Sequence, residues 1–301
     1  MVRRGLGEAL PVAVRDDADP DSAGVAVEDS PQRLHGSFRP AAEPIPFEPR
    51  QTFNLRPAID ELPEEQSLAI EINGRHVATL VCSPVGATEL ALGWAFGQGY
   101  FDDPAQVHRM TPYRDRLALM IDRPGRGGES WHGLVASGFD ASSVMTSRRI
   151  SCSIDEPAGS QGPHFDRALF LVLIERIFAR FRADVCAEAI HHAAVTDGDH
   201  LCAVSRDVCR HNAVDKVVGW TLSQRLDRSR LMLCLSGRVS ADLAYKAARA
   251  GFAIVASQSL PTSEAVEMAH AAGITLVGRV LELQPEVYAH PWRLTGHEDE
   301  S

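Results

Sequence analysis

The first regular pattern of apolar and polar residues surrounds Asn73-Gly74. On either side of this dipeptide, the runs LAIEI and HVATLVC alternate between apolar and polar residues, as half-buried strands do. Asn-Gly between two such runs is the strongest short signal for a hairpin. A further short run, LALMID at 117–122, has the composition of another strand. The pattern therefore predicts a small sheet built around one hairpin.

The segment between the hairpin and the run at 117–122 has helical periodicity. In TELALGWAFGQGYF, the residues Leu90, Trp94 and Phe101 fall on one stripe. Thr88 precedes this stripe and is a residue type that caps helix N-termini. We therefore predict a helix capped by Thr88, and a small N-terminal α/β domain over residues 51–150.

From about Phe165 the pattern alternates between helices and short apolar strands. DRALFLVLIERIFARFRAD is strongly amphipathic, and its apolar stripe comprises Leu169, Phe170, Leu173, Ile174, Ile177 and Phe181. The strand candidates LCAVS, LMLCLS, FAIVAS and TLVGRV then alternate with AVDKVVGWTLSQRL, DLAYKAARA and SEAVEMAHAA, and Gly251 and Gly273 end the last two helices. Continuous apolar strands between helices predict a parallel or mixed sheet covered on both faces, hence a three-layer α/β/α domain over 151–297.

Composition and charge limit the cellular setting. Residues 1–50 mix alanine, proline, aspartate and arginine without a period, so we predict a disordered tail there. No run approaches the roughly 18 apolar residues of a membrane span, and the N-terminus lacks a secretory signal core. We therefore expect a cytoplasmic protein with no membrane partner. The net charge of −10, from 30 basic and 40 acidic residues, argues against a nucleic-acid partner.

The cysteines and histidines indicate no metal site. No two of the six cysteines form C-x-x-C, and in a long chain without a signal they are expected to be reduced thiols. The spacing of His191-His192, Cys202, Cys209 and His211 matches no zinc-ligand pattern. The H-x-E and P-C-x-x-C motifs of zinc deaminases are also missing from the sequence. We predict no protein-bound metal.

The densest polar cluster is SRDVCRHNAVDK at 205–216, between a predicted strand and a predicted helix. A helix that begins after a strand of an open α/β sheet commonly binds anions. Arg210, His211 and Lys216 suit phosphate there, and Asn212 suits the helix N-cap. Lys216 is also one of only two lysines in the chain. A capped helix with surface ion pairs is the alternative interpretation.

Polar residues also follow the next two predicted strands. Ser236, Gly237 and Arg238 come directly after LMLCLS, and residues 257–259 come after FAIVAS. The carboxyl ends of neighbouring parallel strands meet at one edge of a sheet. We therefore expect these residues and the cluster at 205–216 to form a polar crevice for a phosphate-bearing ligand such as a nucleotide.

Cys152 is the candidate nucleophile. It lies in TSRRISCSIDE, between the two halves of the chain and close to Arg148 and Arg149. Positive charge lowers the pKa of a thiol and favours the thiolate, which is the form that attacks and carries sulfur. The other five cysteines lie in or next to apolar runs. A loop cysteine without a chemical role remains the alternative.

Long strings in both halves resemble the formate dehydrogenase accessory sulfurtransferase family (FdhD). They are EEQSLAIEINGR and TELALGWAF in the first half and DVCRHNAVDK, SGRVSADLAYKAARAG, LPTSEAVEMA, GITLVGRV and VYAHPWRL in the second, over roughly residues 64–294. The resemblance implies a cytidine deaminase-like fold for the C-terminal domain. It also implies that a cysteine desulfurase supplies sulfur as a persulfide, which passes to the bis(molybdopterin guanine dinucleotide) cofactor of molybdenum or tungsten before that cofactor enters the formate dehydrogenase catalytic subunit.

The resemblance also implies where the cofactor binds. The family segment F-N-V-Y-T-H corresponds to Pro285, Glu286, Val287, Tyr288, Ala289 and His290. With Arg210, His211, Asn212, Lys216, Ser236, Gly237 and Arg238, this segment is expected to hold the phosphates and the guanine. Proline and glutamate replace the phenylalanine and asparagine of the family, and a carboxylate near pyrophosphate is unfavourable.

The sulfur loop departs from the family. The family string T-S-S-C-G-V-C-G reads T-S-R-R-I-S-C-S at 146–153, so Arg149 replaces the persulfide-carrying cysteine and Cys152 matches the second one. Either Cys152 has taken over as carrier, or the chain is a non-catalytic chaperone of the cofactor. Cys209, where the family has glycine, is either a substitute carrier or a space-filling residue. Enzymatic activity, the client enzyme and a homodimer stay open.

Overall fold

The computed structural model describes residues 62–122, 163–184 and 186–296, all within one compact unit, Arg56–Ser301. Its helices are α1 (Ala87–Gly97), α2 (Arg167–Arg182), α3 (Arg210–Ser223), α4 (Ala241–Ala250) and α5 (Ser263–Ala272). Its strands are β1 (Gln66–Ile72), β2 (Arg75–Cys82), β3 (Val107–Pro112), β4 (Arg116–Ile121), β5 (Phe165–Asp166), β6 (His191–Thr196), β7 (Leu201–Asp207), β8 (Met232–Leu235), β9 (Ile254–Ser257), β10 (Thr275–Gly278), β11 (Glu286–Ala289) and β12 (Leu294–Thr295). The predicted tail at 1–50 and the sulfur loop, with Cys152, lie outside the described residues, so the predicted domain boundaries stay predictions.

The predicted hairpin is present at Asn73-Gly74. Strands β1 and β2 pair antiparallel, and both turn residues have positive φ, 50° at Asn73 and 77° at Gly74, as a type I′ turn requires. The Asn73 side chain also donates to Ile121 O (3.0 Å) and accepts from Ile121 N (2.8 Å). The turn is thereby bound to β4, and the small sheet has the order β2-β1-β4-β3.

The larger sheet is mixed and has the order β11-β10-β9-β8-β6-β7, with β8, β9 and β10 parallel. Successive residues of its strands point into two different cores. Cys234 of β8 packs in a cluster with α2, whereas Leu233 and Leu235 pack in the cluster that includes α3, α4 and α5. The three-layer α/β/α prediction is confirmed for these residues.

Helices α1 and α3 cross very closely, and this contact joins the two halves of the sequence. A Cβ atom at Gly93 would lie 1.9 Å from the carbonyl oxygen of Asp215, and one at Gly219 would lie 1.9 Å from that of Glu89. Real Cβ atoms do not approach backbone so closely, so only glycine fits at both positions. No helix in the described residues is long and apolar enough to cross a membrane.

Two local predictions were wrong. Helix α1 begins at Ala87 after Gly86, which has a left-handed backbone, so Thr88 lies inside the helix and does not cap it. Leu169 is 67% exposed, whereas Phe178, which was not assigned to the stripe, is fully buried. The orientation of α2 against the sheet therefore differs from the predicted stripe by a small rotation about its axis.

Candidate functional site

The ends of four strands meet at one edge of the large sheet. Ser236, just after β8, accepts a hydrogen bond at Oγ from His192 N (2.9 Å) and donates from its own N to His192 O (3.0 Å). Ser257, at the end of β9, donates from Oγ to Gly237 O (2.8 Å). Strand β7 ends beside the start of β6, because Asp207 pairs with His191. We call this edge, formed by His191, Cys209–His211, Ser236–Arg238 and Ser257–Ser259, the strand-end crevice.

Gly237 allows the crevice to close around two side chains. A Cβ atom there would lie 3.1 Å from His191 Nδ1 and 3.5 Å from Arg210 Cδ. The Arg210 Nε is buried and has no hydrogen-bond partner among the described residues, while Arg238 is exposed. Burial, followed by the positive charge of Arg210, lowers the pKa of His191. Among the described residues, the crevice thus places an arginine whose Nε has no partner beside an imidazole whose pKa is lowered, a combination that suits an anionic ligand.

Lys216 does not face this crevice, which corrects its predicted role with phosphate. Its side chain is 3% exposed, and its Nζ lies 2.7 Å from Asp207 Oδ2. The same Nζ donates to Ser83 O (3.2 Å) and Arg206 O (3.1 Å). Since an ammonium group has three donors, Lys216 has none left for a ligand.

The second lysine of the chain is also in a buried ion pair. Lys246 Nζ lies 2.6 Å from each carboxylate oxygen of Asp215, and both residues are buried. Buried charges need such partners because their desolvation is costly. The two lysines are thus structural residues on the packed sides of α3 and α4.

Asn212 is likewise structural, and its predicted role as N-cap is wrong. It lies inside α3, is 2% exposed, and its Nδ2 donates to Val81 O (2.8 Å) and Asp207 Oδ1 (3.0 Å). The N-cap position belongs to Cys209, whose backbone N donates to Asp207 Oδ1 (2.9 Å). Asp207 therefore fixes the start of α3 from the preceding strand.

Cys209, His211 and Asp242 form a line of interacting side chains at the start of α3. The Cys209 Sγ is 3.7 Å from His211 Nδ1, and His211 Nε2 forms an ion pair with Asp242. Burial opposes the charged form of His211, but the ion pair with Asp242 and the contact with Cys209 outweigh it and raise its pKa to about 9. Burial likewise opposes ionisation of Asp242 and of Cys209, yet His211 lowers the pKa of both.

The segment Pro285–His290 is divided between two edges of the sheet. Strand β11 runs antiparallel to β10. The Tyr288 ring packs so closely against Gly278 that a Cβ atom at Gly278 would lie 2.9 Å from it. Glu286 accepts from Tyr288 and lies 3.5 Å from Arg279, so its carboxylate has partners.

The far end of the segment lies away from the crevice. Ala289 is buried, and His290 lies at the start of β10, where its carbonyl accepts from Thr275 Oγ1 (2.5 Å) and its Nε2 is 3.0 Å from His270 O. Since β10 begins at the edge opposite the crevice, the structure does not bring His290 together with Arg210. Pro285, Glu286 and Val287 lie nearer the crevice edge.

The sequence analysis did not assign His191 or Asp242 to the site, but the structure places them beside Arg210 and His211. His191 was considered only for zinc, and its entry into the crevice follows from β6, a strand that was not predicted. Asp242 is in the first turn of α4, where an acidic residue is ordinary. Its partner His211 is far away in sequence, so no local signal linked them.

Comparison with known proteins identifies relatives over most of the chain. A model of the FdhD/NarQ family matches residues 63–295. "Sulfur carrier protein FdhD" of Bacillus pumilus (strain SAFR-032) is 32% identical over 257 residues, which cover 78% of this chain and 91% of the relative. The protein of the same name from Geobacillus kaustophilus (strain HTA426) is 28% identical over 238 residues, with 78% and 90% coverage.

One solved structure shows the same fold. The crystal structure of a formate dehydrogenase accessory protein from Desulfotalea psychrophila superposes with a TM-score of 0.62 and 24% identity. The match covers 77% of this chain and 90% of that one. The α/β architecture is therefore shared with this protein.

Proposed function

The chain belongs to the FdhD/NarQ family, and on this premise we propose that it is a sulfur carrier protein that serves the maturation of a formate dehydrogenase. In this proposal a cysteine desulfurase supplies the sulfur. The chain passes it to a bis(molybdopterin guanine dinucleotide) cofactor, which then enters the formate dehydrogenase catalytic subunit. The curated relatives named above support the sulfur carrier role.

The observation that carries the proposal is the buried Nε of Arg210 in the strand-end crevice. This Nε has no partner among the described residues, and a buried polar group normally has one. A pyrophosphate oxygen would supply that partner as a charge-assisted hydrogen bond. Guanine dinucleotide contains such a pyrophosphate, and the neighbouring Ser236 and Arg238 add further donors.

The geometry narrows the set of residues proposed to hold the cofactor. Arg210 and the loop at Ser236-Gly237 lie at the crevice, the exposed Arg238 follows that loop, and the first part of 285–290 lies near the same edge. Lys216 and Asn212 leave the set because both are buried and their side-chain N–H donors are bound to protein groups. His290 leaves it because it lies at the other edge.

Binding of GDP, a soluble part of the cofactor, tests the crevice directly. We expect calorimetry to show that Arg210→Ala weakens GDP binding about tenfold or more, since a hydrogen bond to a charged group contributes about 1.5–3 kcal/mol. Arg182→Ala is the matched control, because Arg182 is on α2 and pairs with Glu175. Equal GDP affinity in the wild type and in Arg210→Ala would contradict the proposal.

Complementation tests the maturation role. In a strain that lacks its own accessory factor, this chain should restore formate dehydrogenase activity, and Arg210→Ala should not. The replacement of the loop cysteine by Arg149 favours one second candidate, a chaperone that binds the cofactor without moving sulfur. In that case, a variant with every cysteine replaced by serine would still restore activity.

A further inference from the structure

Cys209 is placed like an activated nucleophile rather than like a space-filling residue. It occupies the N-cap of a 14-residue helix, its Sγ is 3.7 Å from His211 Nδ1, and His211 is bound through Nε2 to Asp242. We propose that Cys209 is the thiol on which this chain carries sulfur, activated by His211 and positioned by way of Asp242. This inference rests on the proposed function and names the carrier site within it.

The electrostatic surroundings favour the thiolate. The largest influence, burial, opposes ionisation of Cys209, but the His211 contacts outweigh it and lower the thiol pKa. His211 is held in its charged form by Asp242, which raises its pKa to about 9. A thiolate beside a protonated imidazole that is itself oriented by a carboxylate is the general arrangement of an activated cysteine.

The backbone contributes in the same direction. Helix α3 begins at the next residue, and the backbone N–H groups of Asn212 and His211 in its first turn help to lower the pKa of the Cys209 thiol. The Cys209 N donates to Asp207 Oδ1 (2.9 Å), which holds the residue in an extended conformation. The thiol is thereby fixed next to Arg210, at the edge where the anionic ligand is proposed to bind.

Three of the four other cysteines that the structure describes have different surroundings. Burial raises the pKa of Cys82 to about 11 and that of Cys234 to about 12. Cys202 is partly exposed on β7, and burial also raises its pKa. Cys202 therefore has access to solvent without an activating partner, and it provides a matched control for Cys209.

The step is a sulfur transfer without net oxidation. The Cys209 thiolate attacks the terminal sulfur of a donor persulfide, R–S–SH, and a new S–S bond forms. The donor S–S bond breaks, and its electron pair leaves on R–S⁻. The products are Cys209–S–SH and the donor thiolate. Protonated His211 stabilises the attacking thiolate before transfer, and the departing donor thiolate takes up the negative charge afterwards.

Persulfide loading provides the test. The purified full-length chain is incubated with inorganic polysulfide or with a cysteine desulfurase and cysteine, blocked with an alkylating agent, and digested for mass spectrometry. We expect the peptide that contains Cys209 to gain the mass of one sulfur atom in the wild type, in Cys152→Ser and in Cys202→Ser. Cys209→Ser should remove this signal and should fail in complementation.

Asp242→Asn tests the positioning role of the carboxylate. Without the carboxylate, His211 should lose its proton nearer neutral pH, so the pH profile of Cys209 alkylation should move to higher pH and loading at pH 7 should fall about tenfold. A merely structural role for Asp242 would leave the midpoint of that profile in place. Circular dichroism and an unfolding curve show whether the variant is folded.

The outcomes separate this inference from the proposed function. Loading on Cys152 with none on Cys209, or full complementation by Cys209→Ser, overturns the role of Cys209 and leaves the sulfur carrier function intact. Loss of loading at Cys209 in the Cys152→Ser variant also overturns it. If no cysteine is loaded and a cysteine-free variant complements, the sulfur carrier function itself fails.

Discussion

The packed side of helix α3 and its start at the strand-end crevice use polar residues for different purposes. On the packed side, Lys216 and Asn212 meet Asp207, and all their donors have protein partners. At the strand-end crevice, the Nε of Arg210 has no partner among the described residues, and Cys209 is partly exposed. The difference teaches that a dense polar motif can be divided, one part completing the fold and the other kept for a ligand.

Free energy explains this division. A buried ion pair that loses one partner leaves an uncompensated charge away from water. Each charged group on the packed side therefore needs a protein partner. At the crevice, the buried Nε of Arg210 has no partner among the described residues, and a ligand that accepts its hydrogen bond would remove this cost. Substitutions on the packed side should therefore change stability, whereas those in the crevice should change chemistry.

The largest expected effect comes from Lys216→Met, which keeps the unbranched stem and removes the charge. It leaves the buried Asp207 carboxylate without its cationic partner, so we expect the free energy of unfolding to fall by about 3–5 kcal/mol. Urea denaturation measures this change. The control Arg238→Met should stay within about 0.5 kcal/mol because Arg238 is exposed. Equal effects of the two substitutions would abolish the distinction between the two sides.

A pair of glycine substitutions gives the next largest contrast. In Gly219→Ala the new Cβ would lie 1.9 Å from the Glu89 carbonyl oxygen, so α1 and α3 must separate, at a cost of about 3 kcal/mol. In Gly237→Ala it would meet the side chains of His191 and Arg210 at 3.1 Å and 3.5 Å. These side chains can move, so we expect less than about 1 kcal/mol in urea unfolding. If Gly219→Ala lowered the free energy of unfolding by less than about 1 kcal/mol, helices α1 and α3 would not cross as closely as described.

The smallest expected effect is a pH dependence of stability through His211. Its folded-state pKa is raised from 6.5 to about 9; Asp242 and Cys209 favour its charged form, whereas Lys246 opposes it. Protons are therefore bound more tightly in the folded state, so the stabilisation is complete below pH 6.5 and is lost as pH rises through 9. The loss is on the order of 2 kcal/mol between pH 7 and 9.5. Urea unfolding at both pH values should show it in the wild type, and His211→Gln should flatten it.

Much of the fold was accessible from the sequence because it depends on local signals. Asn73-Gly74 between alternating runs gave the hairpin, and Gly251 and Gly273 end α4 and α5 with the left-handed backbone that glycine favours. Strands β3, β5, β6, β11 and β12 were missed. Strand β3 contains only two large apolar residues and β6 begins with two histidines, so neither of these shows a strand pattern.

The candidate site could be predicted from the sequence only in part, because side-chain direction depends on contacts that are distant in sequence. The sequence placed Arg210, Ser236 and Gly237 at strand ends, and the topology of β7 and β8 confirms that they share an edge. Lys216 and Asn212 belonged to the same motif, but helical geometry directs them to the packed side. No spacing rule distinguishes these directions, since they depend on which neighbour covers each face of α3.

The amino-acid sequence by itself determined the five helices and seven of the twelve strands in the described residues, the family, and the candidate chemistry of the polar motif, because these depend on periodicity, turn residues and matching strings. Only the tertiary structure decided which polar residues are saturated and which are free. It also joined Cys209 and His211 to Asp242, which the chain reaches about thirty residues later. Burial and pKa arise from neighbours in space, and long-range packing of α3 against α4 creates those neighbours.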